Sequence, residues 1–118
     1  MNSNRVFVVD DDEGIREILK SLLESKYPVE VFEHGYDAVK NVSKEKPKVL
    51  LLDYFLPGES AEKVIKDVKK NSNIDLKIIV MSASLHIKQD LFKMGVSEFI
   101  KKPFSIDTIY LTLDKYIN

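Results

Sequence analysis

Three aspartates, Asp10, Asp11 and Asp12, stand in a row directly behind the apolar run Val6–Val9. A fourth, Asp53, ends the run VLLLD. Ser82 follows IIVM, and Lys101-Lys102-Pro103-Phe104 follows Phe99-Ile100. Carboxylates gathered in one place raise each other's pKa unless a cation offsets them. Hard oxygen donors favour Mg²⁺, which is commonly held by one or two carboxylates and keeps several waters. Beside such an ion, Lys102 could neutralise a phosphoryl oxygen and Ser82 could donate a hydrogen bond to another. Asp53 is then the natural nucleophile, because an aspartate can take a phosphoryl group as an acyl phosphate. Little more is needed, since phosphoryl transfer is mostly positioning and charge neutralisation. Asp12 fits a plainer role as cap of the first helix.

This chemistry requires the four places to meet, so the elements that carry them decide the matter. Strand-like runs occur at Val6–Val9, Val29–Phe32, Val49–Leu52, Ile78–Met81 and Phe99–Ile100. Several are nearly continuous apolar stretches, as in parallel strands covered on both faces. Between them apolar residues recur at helical spacing. One stripe is Ile15, Ile18, Leu19, Leu22 and Leu23; another is Ala61, Val64, Ile65 and Val68. A third is Ile87, Leu91 and Met94, a fourth Ile106, Ile109, Leu113 and Tyr116, and a weaker helix fits Tyr36 to Val42. Ser60 and Ser105 stand where N-caps belong, and Gly95 stands where a left-handed C-terminal residue belongs.

Five strands alternating with five helices predict a doubly wound α/β fold: a five-stranded parallel sheet with right-handed crossovers. Ligands of such sheets bind outside the carboxyl ends of the strands. The polar residues named above all sit at those ends.

The totals agree. The chain has 118 residues, 44% hydrophobic and 31% charged, as expected of one folded domain spanning 1–118. Its net charge of −1, with no block of like charge beyond short lysine pairs, argues against a nucleic-acid surface. There is no cysteine, so disulfide and thiolate chemistry are excluded. No apolar run reaches signal or membrane length, and a cytoplasmic protein without membrane contact is expected. The chain ends soon after the fourth stripe, so no output domain is expected.

VVDDD, LLLDYFLPG, VMSA and FIKKPF, in that order and each at a strand's end, strongly resemble the receiver domains of two-component response regulators. The resemblance spans essentially the whole length. It implies the flavodoxin-like strand order 2-1-3-4-5 and phosphorylation of Asp53 by the phosphohistidine of a sensor kinase or phosphotransfer protein. It also implies Mg²⁺ on Asp10, Asp11, Asp53 and the backbone carbonyl of Phe55, with Lys102 on the phosphoryl oxygens and a cis bond before Pro103. Ser82 and Phe99 would be the switch residues, re-setting the surface of the fourth helix, fifth strand and fifth helix that a downstream protein target reads. Phosphorelay to another histidine is the alternative output. His34 and His86 show no partner or spacing and read as surface residues.

Some positions depart from the family's habit. Ala61 stands where Gly is usual, Leu91 where a small residue is favoured, and Gly95-Val96 where Gly-Ala is common; bulk at these places is expected to disturb the fourth helix. The apolar Phe55, overlooking the phosphoryl site, predicts a long-lived phosphorylated form, since hydrolysis needs a positioned water. Rival readings are a haloacid-dehalogenase-type phosphatase, against which Gly14 stands where Thr or Val is wanted, and a receiver-like interaction module that never takes phosphate. A calcium loop fails because Gly14 is misplaced by one and the final Glu is missing.

Overall fold

In the computed structural model, which describes residues 4–72, 75–84 and 86–117, the five predicted strands and five helices alternate, and a short hairpin that the pattern does not predict lies between the third strand and the third helix. The opening residues Met1 to Ser3 lie outside the described residues. In chain order the elements are β1 (Val6–Val9), α1 (Glu13–Leu23), β2 (Val29–Phe32), α2 (Gly35–Glu45) and β3 (Val49–Asp53). Then come β4 (Phe55–Leu56), β5 (Glu59–Ser60), α3 (Ala61–Asn71), β6 (Lys77–Ser82), α4 (Lys88–Lys93), β7 (Glu98–Lys101) and α5 (Ile106–Tyr116).

The main sheet is parallel throughout, in the order β2-β1-β3-β6-β7, which is 2-1-3-4-5 when its five strands are counted along the chain. The two-residue strands β4 and β5 add a small antiparallel hairpin outside it. Its turn is Pro57-Gly58, where Gly58 has φ +75°. That is the left-handed conformation a type II turn asks of its third residue.

Side-chain alternation along each strand divides the core in two. Phe7, Val9, Leu50, Leu52, Ile78 and Val80 face a layer formed by α2, α3 and α4. Val6, Val8, Val49, Leu51, Ile79 and Met81 face α1 and α5. A sheet covered on both faces explains why these strands read as unbroken apolar runs.

Local punctuation sets the helix ends. Asp12 caps α1 by accepting the Ile15 N–H at 3.1 Å, Ser60 caps α3 through Lys63, and Ser105 caps α5 through Thr108. Gly95 has φ +91° just beyond α4. The third stripe maps onto a helix of only six residues, with Ile87 and Met94 as its flanking caps. The bulky Leu91 and Val96 are both buried in the core beside it.

Candidate functional site

β1, β3 and β6 stop at the same edge of the sheet, and the residues just beyond their ends line one cleft. Asp10 is wholly buried, and Asp53 almost so; Asp11 is exposed at the mouth. The register places Asp53 beside Met81 and Ser82 beside Lys101. The Lys102 N–H donates to the Ser82 carbonyl at 2.8 Å, which holds the next side chain over the cleft. The bond between Lys102 and Pro103 is cis.

Lys102 Nζ lies 2.8 Å from Asp10 Oδ2 and 3.3 Å from Asp53 Oδ1. One carboxylate oxygen each from Asp10, Asp11 and Asp53 lies within 4.8 Å of the others. Three carboxylates therefore face one ammonium. Burial and then the neighbouring Asp10 charge push the Asp53 carboxyl up to about 6, against the opposing pull of Lys102 and of the Phe55 N–H. Burial draws Lys102 downward, but its hydrogen bond to Asp10 and the charges of Asp10 and Asp53 outweigh that and hold its pKa above the ordinary lysine value. Such a site carries surplus negative charge on hard oxygen donors, which suits a small divalent cation. The residues fit Mg²⁺.

Loop geometry keeps the pieces in place. Asp10 Oδ1 accepts the Asp12 N–H at 3.0 Å, and Arg16 Nη1 donates to the Asp10 carbonyl at 2.8 Å. Nothing in the spacing of Arg16 distinguishes it from other helix charges, so its role emerges only in three dimensions. Phe55, Leu56, Pro57, Ala83 and Ile15 complete the walls of a cleft of about 510 Å³.

Ser82 is buried, and its Oγ accepts the Ser84 N–H at 3.1 Å, which leaves its own O–H as a donor. Its neighbour Ala83 is the residue that lines the cleft. Phe99 is partly buried against the α2–α3–α4 core, and Phe104 is partly buried against the opposite one. Both histidines have neighbours that sequence spacing does not reveal. His34 stacks on the Tyr36 ring, and His86 Nδ1 is hydrogen-bonded to Ser84 Oγ.

A doubly wound parallel sheet with an acidic cleft and a lysine at its carboxyl edge is the arrangement that the resemblance to receiver domains implies. The family model for the response regulator receiver domain matches residues 6–114, and the chain belongs to that family. Among relatives, sporulation initiation phosphotransferase F of Bacillus subtilis is 31% identical over 121 residues, covering 99% of this chain and 96% of that protein. The DNA-binding transcriptional regulator NtrC of Proteus hauseri is 30% identical over 120 residues; this chain spans only 25% of it. Among solved structures, the response regulator TrrA of Thermotoga maritima, in complex with Mg²⁺ and beryllofluoride, is 32% identical with a TM-score of 0.83. That match covers 96% of this chain and 98% of TrrA. Among the described residues, no helix is long and apolar enough to cross a membrane.

Proposed function

We propose that this receiver accepts a phosphoryl group on Asp53 from the phosphohistidine of a sensor kinase or phosphotransfer protein, in a Mg²⁺-dependent reaction. The observation that carries the reading is the single ammonium of Lys102 set between Asp10 and Asp53 in a cleft with surplus negative charge. Asp10, Asp11, Asp53 and the Phe55 carbonyl are the groups that would hold the ion. When bound, it would neutralise carboxylate charge and polarise the phosphoryl oxygens. The mixed magnesium and beryllofluoride complex of TrrA supports the same use of the cleft here.

In the transfer, a carboxylate oxygen of Asp53 attacks phosphorus as the bond from phosphorus to the donor imidazole nitrogen breaks. The electron pair leaves with the imidazole, and the product is an acyl phosphate on Asp53. Lys102 Nζ, already 3.3 Å from Asp53 Oδ1, pairs with the incoming phosphoryl oxygens. Ser82, buried beside the cleft, would swing toward the phosphoryl group to donate its O–H to another. The chain then acts as a stoichiometric carrier rather than a turnover enzyme. Ser82 and Phe99 transmit the change to the surface of α4, β7 and α5, which signals by protein contacts in the cytoplasm.

An apolar groove of about 450 Å³ continues from the cleft, lined by Ile15, Ile18 and Leu22 of α1 and by Pro103, Phe104 and Ile106. It shares Ile15 with the cleft wall, and it supports docking of a protein donor beside Asp53.

The test is incubation with Mg²⁺ and a small acyl phosphate, followed by intact-mass measurement. Wild type should gain one phosphoryl increment and Asp53→Asn none. Equal labelling of both, or none of either, overturns the reading.

A further inference from the structure

Glu59 sits on β5, in the hairpin that follows the phosphoacceptor, yet its carboxylate points away from the cleft. Its Oε2 accepts the Gly35 N–H at 2.9 Å, and its Oε1 accepts the Tyr36 N–H at 2.9 Å. These are the first amides of α2, whose N-cap residue His34 makes no side-chain cap of its own. His34 Nδ1 lies 3.8 Å from the same carboxylate. The Glu59 side chain is only 15% exposed. A carboxylate in this place satisfies orphan amides and meets the positive end of the helix.

The approach is close. A Cβ at Gly35 would lie 2.5 Å from Val64 Cγ2 and 3.1 Å from Glu59 Oε1, so any side chain there would push α2 or those neighbours apart. The other side of the bridge is the cleft itself. Glu59 pairs with Leu56 and Ser60 pairs with Phe55 across the hairpin. Phe55, Leu56 and Pro57 form its outer wall. The wall is therefore braced from behind, through two hydrogen bonds, by a helix that contributes nothing else to the site.

We propose that Glu59 is a positioning residue for the phosphoacceptor cleft, tying the hairpin to α2 so that the Phe55 carbonyl stands ready for a divalent cation. The proposal rests on the Mg²⁺-dependent reading above and goes beyond it, because Glu59 itself touches neither ion nor phosphoryl group. By linkage, whatever the clamp contributes to ion binding, the bound ion returns to the clamp.

The test titrates Mg²⁺ into wild type, Glu59→Ala and Glu59→Gln, following backbone amide resonances. Ile117→Ala, a core truncation in the α1–α5 layer, serves as the control for general destabilisation. Glu59→Ala should weaken Mg²⁺ binding roughly tenfold, as loss of a partner behind the ligands does. Glu59→Gln, which keeps one acceptor oxygen, should fall between, while Ile117→Ala lowers the melting temperature and leaves Mg²⁺ affinity as in wild type. Mg²⁺ should also slow amide exchange at Gly35 and Tyr36 in wild type, and less so in Glu59→Gln. If Glu59→Ala does not fold, Glu59→Gln carries the comparison. Wild-type affinity in the Glu59 variants, with only their melting temperature lowered, would reduce Glu59 to a helix cap and overturn the proposal. Absence of Mg²⁺ binding by wild type would instead overturn the reading of the cleft, and this proposal with it.

Discussion

Asp53 combines two demands that oppose each other. The nucleophilic role proposed for it needs an ionised carboxylate, yet burial and Asp10 lift its pKa from 3.8 to about 6. A carboxyl whose folded-state pKa is raised favours the fold most at low pH. In metal-free protein its contribution declines as pH rises from about 4 to 6 and stays lost above that, because the folded state holds the proton more tightly than the unfolded one. At about 1.4 kcal/mol per pKa unit, the ionised Asp53 costs on the order of 3 kcal/mol at neutral pH. Asp53→Asn, in chelator, should therefore melt several degrees above wild type at pH 7, with the advantage gone near pH 4; a pH series of thermal melts checks this. Phe55 presents the opposite case, an apolar ring 67% exposed at the cleft. It offers no group to position a hydrolytic water, so Phe55→Asn should accelerate phosphate loss from Asp53. An unchanged or slower decay of the phosphorylated mass would refute that role.

Individual elements carry strain at identifiable places. Lys46, which ends α2, has φ +51°, a left-handed conformation that costs a residue with a Cβ roughly 1 kcal/mol. Lys46→Gly should raise stability by about 0.5–1 kcal/mol in a denaturant titration, since the αL position at a helix end is where glycine fits. Gly35 poses the converse problem at the other end of the same helix. Its difficulty is space: an added methyl meets Val64 Cγ2. Gly35→Ala should cost roughly 1–3 kcal/mol by overpacking, despite alanine's better helix propensity. The two substitutions together test whether α2 is limited by backbone conformation at its end and by packing at its start.

At the scale of the whole molecule, two surfaces meet at one strand edge. The acidic cleft holds the groups proposed to take the phosphoryl group, and the apolar groove of α1 and the segment after β7 adjoins it. Ile18 is 57% exposed on that groove and lies outside the cleft. Ile18→Glu should thus slow phosphoryl transfer from a protein phosphohistidine by about an order of magnitude, while leaving labelling by a small acyl phosphate unchanged. A loss of roughly 1–2 kcal/mol of docking free energy accounts for such a factor. Equal effects on both donors would place the groove in the chemistry instead. Ligand linkage gives a second global readout. The carboxylates of the cleft meet only in the folded chain, so Mg²⁺ should raise the melting temperature, and Asp11→Asn should blunt that rise.

Much of this was legible in the chain alone. Apolar runs of a few residues, amphipathic stripes and the caps Asp12, Ser60 and Ser105 depend on neighbours close by in the chain, so they specify the elements and their order without reference to the rest. Placing Asp10, Asp53 and Lys102 at or just past strand ends then makes their meeting a consequence of parallel topology, whereas Ser82 lies buried beside the cleft and its neighbour Ala83 lines it. Other features arise only from packing. Arg16 reaching the Asp10 carbonyl, the Ser82 hydroxyl engaged by Ser84, and α4 shortened to six residues have no local signature. The bridge from Glu59 to Gly35 and Tyr36 joins residues more than twenty positions apart. Periodicity reports which face of an element is buried; which partner that face meets, and at what distance, is set by how the layers close around the sheet.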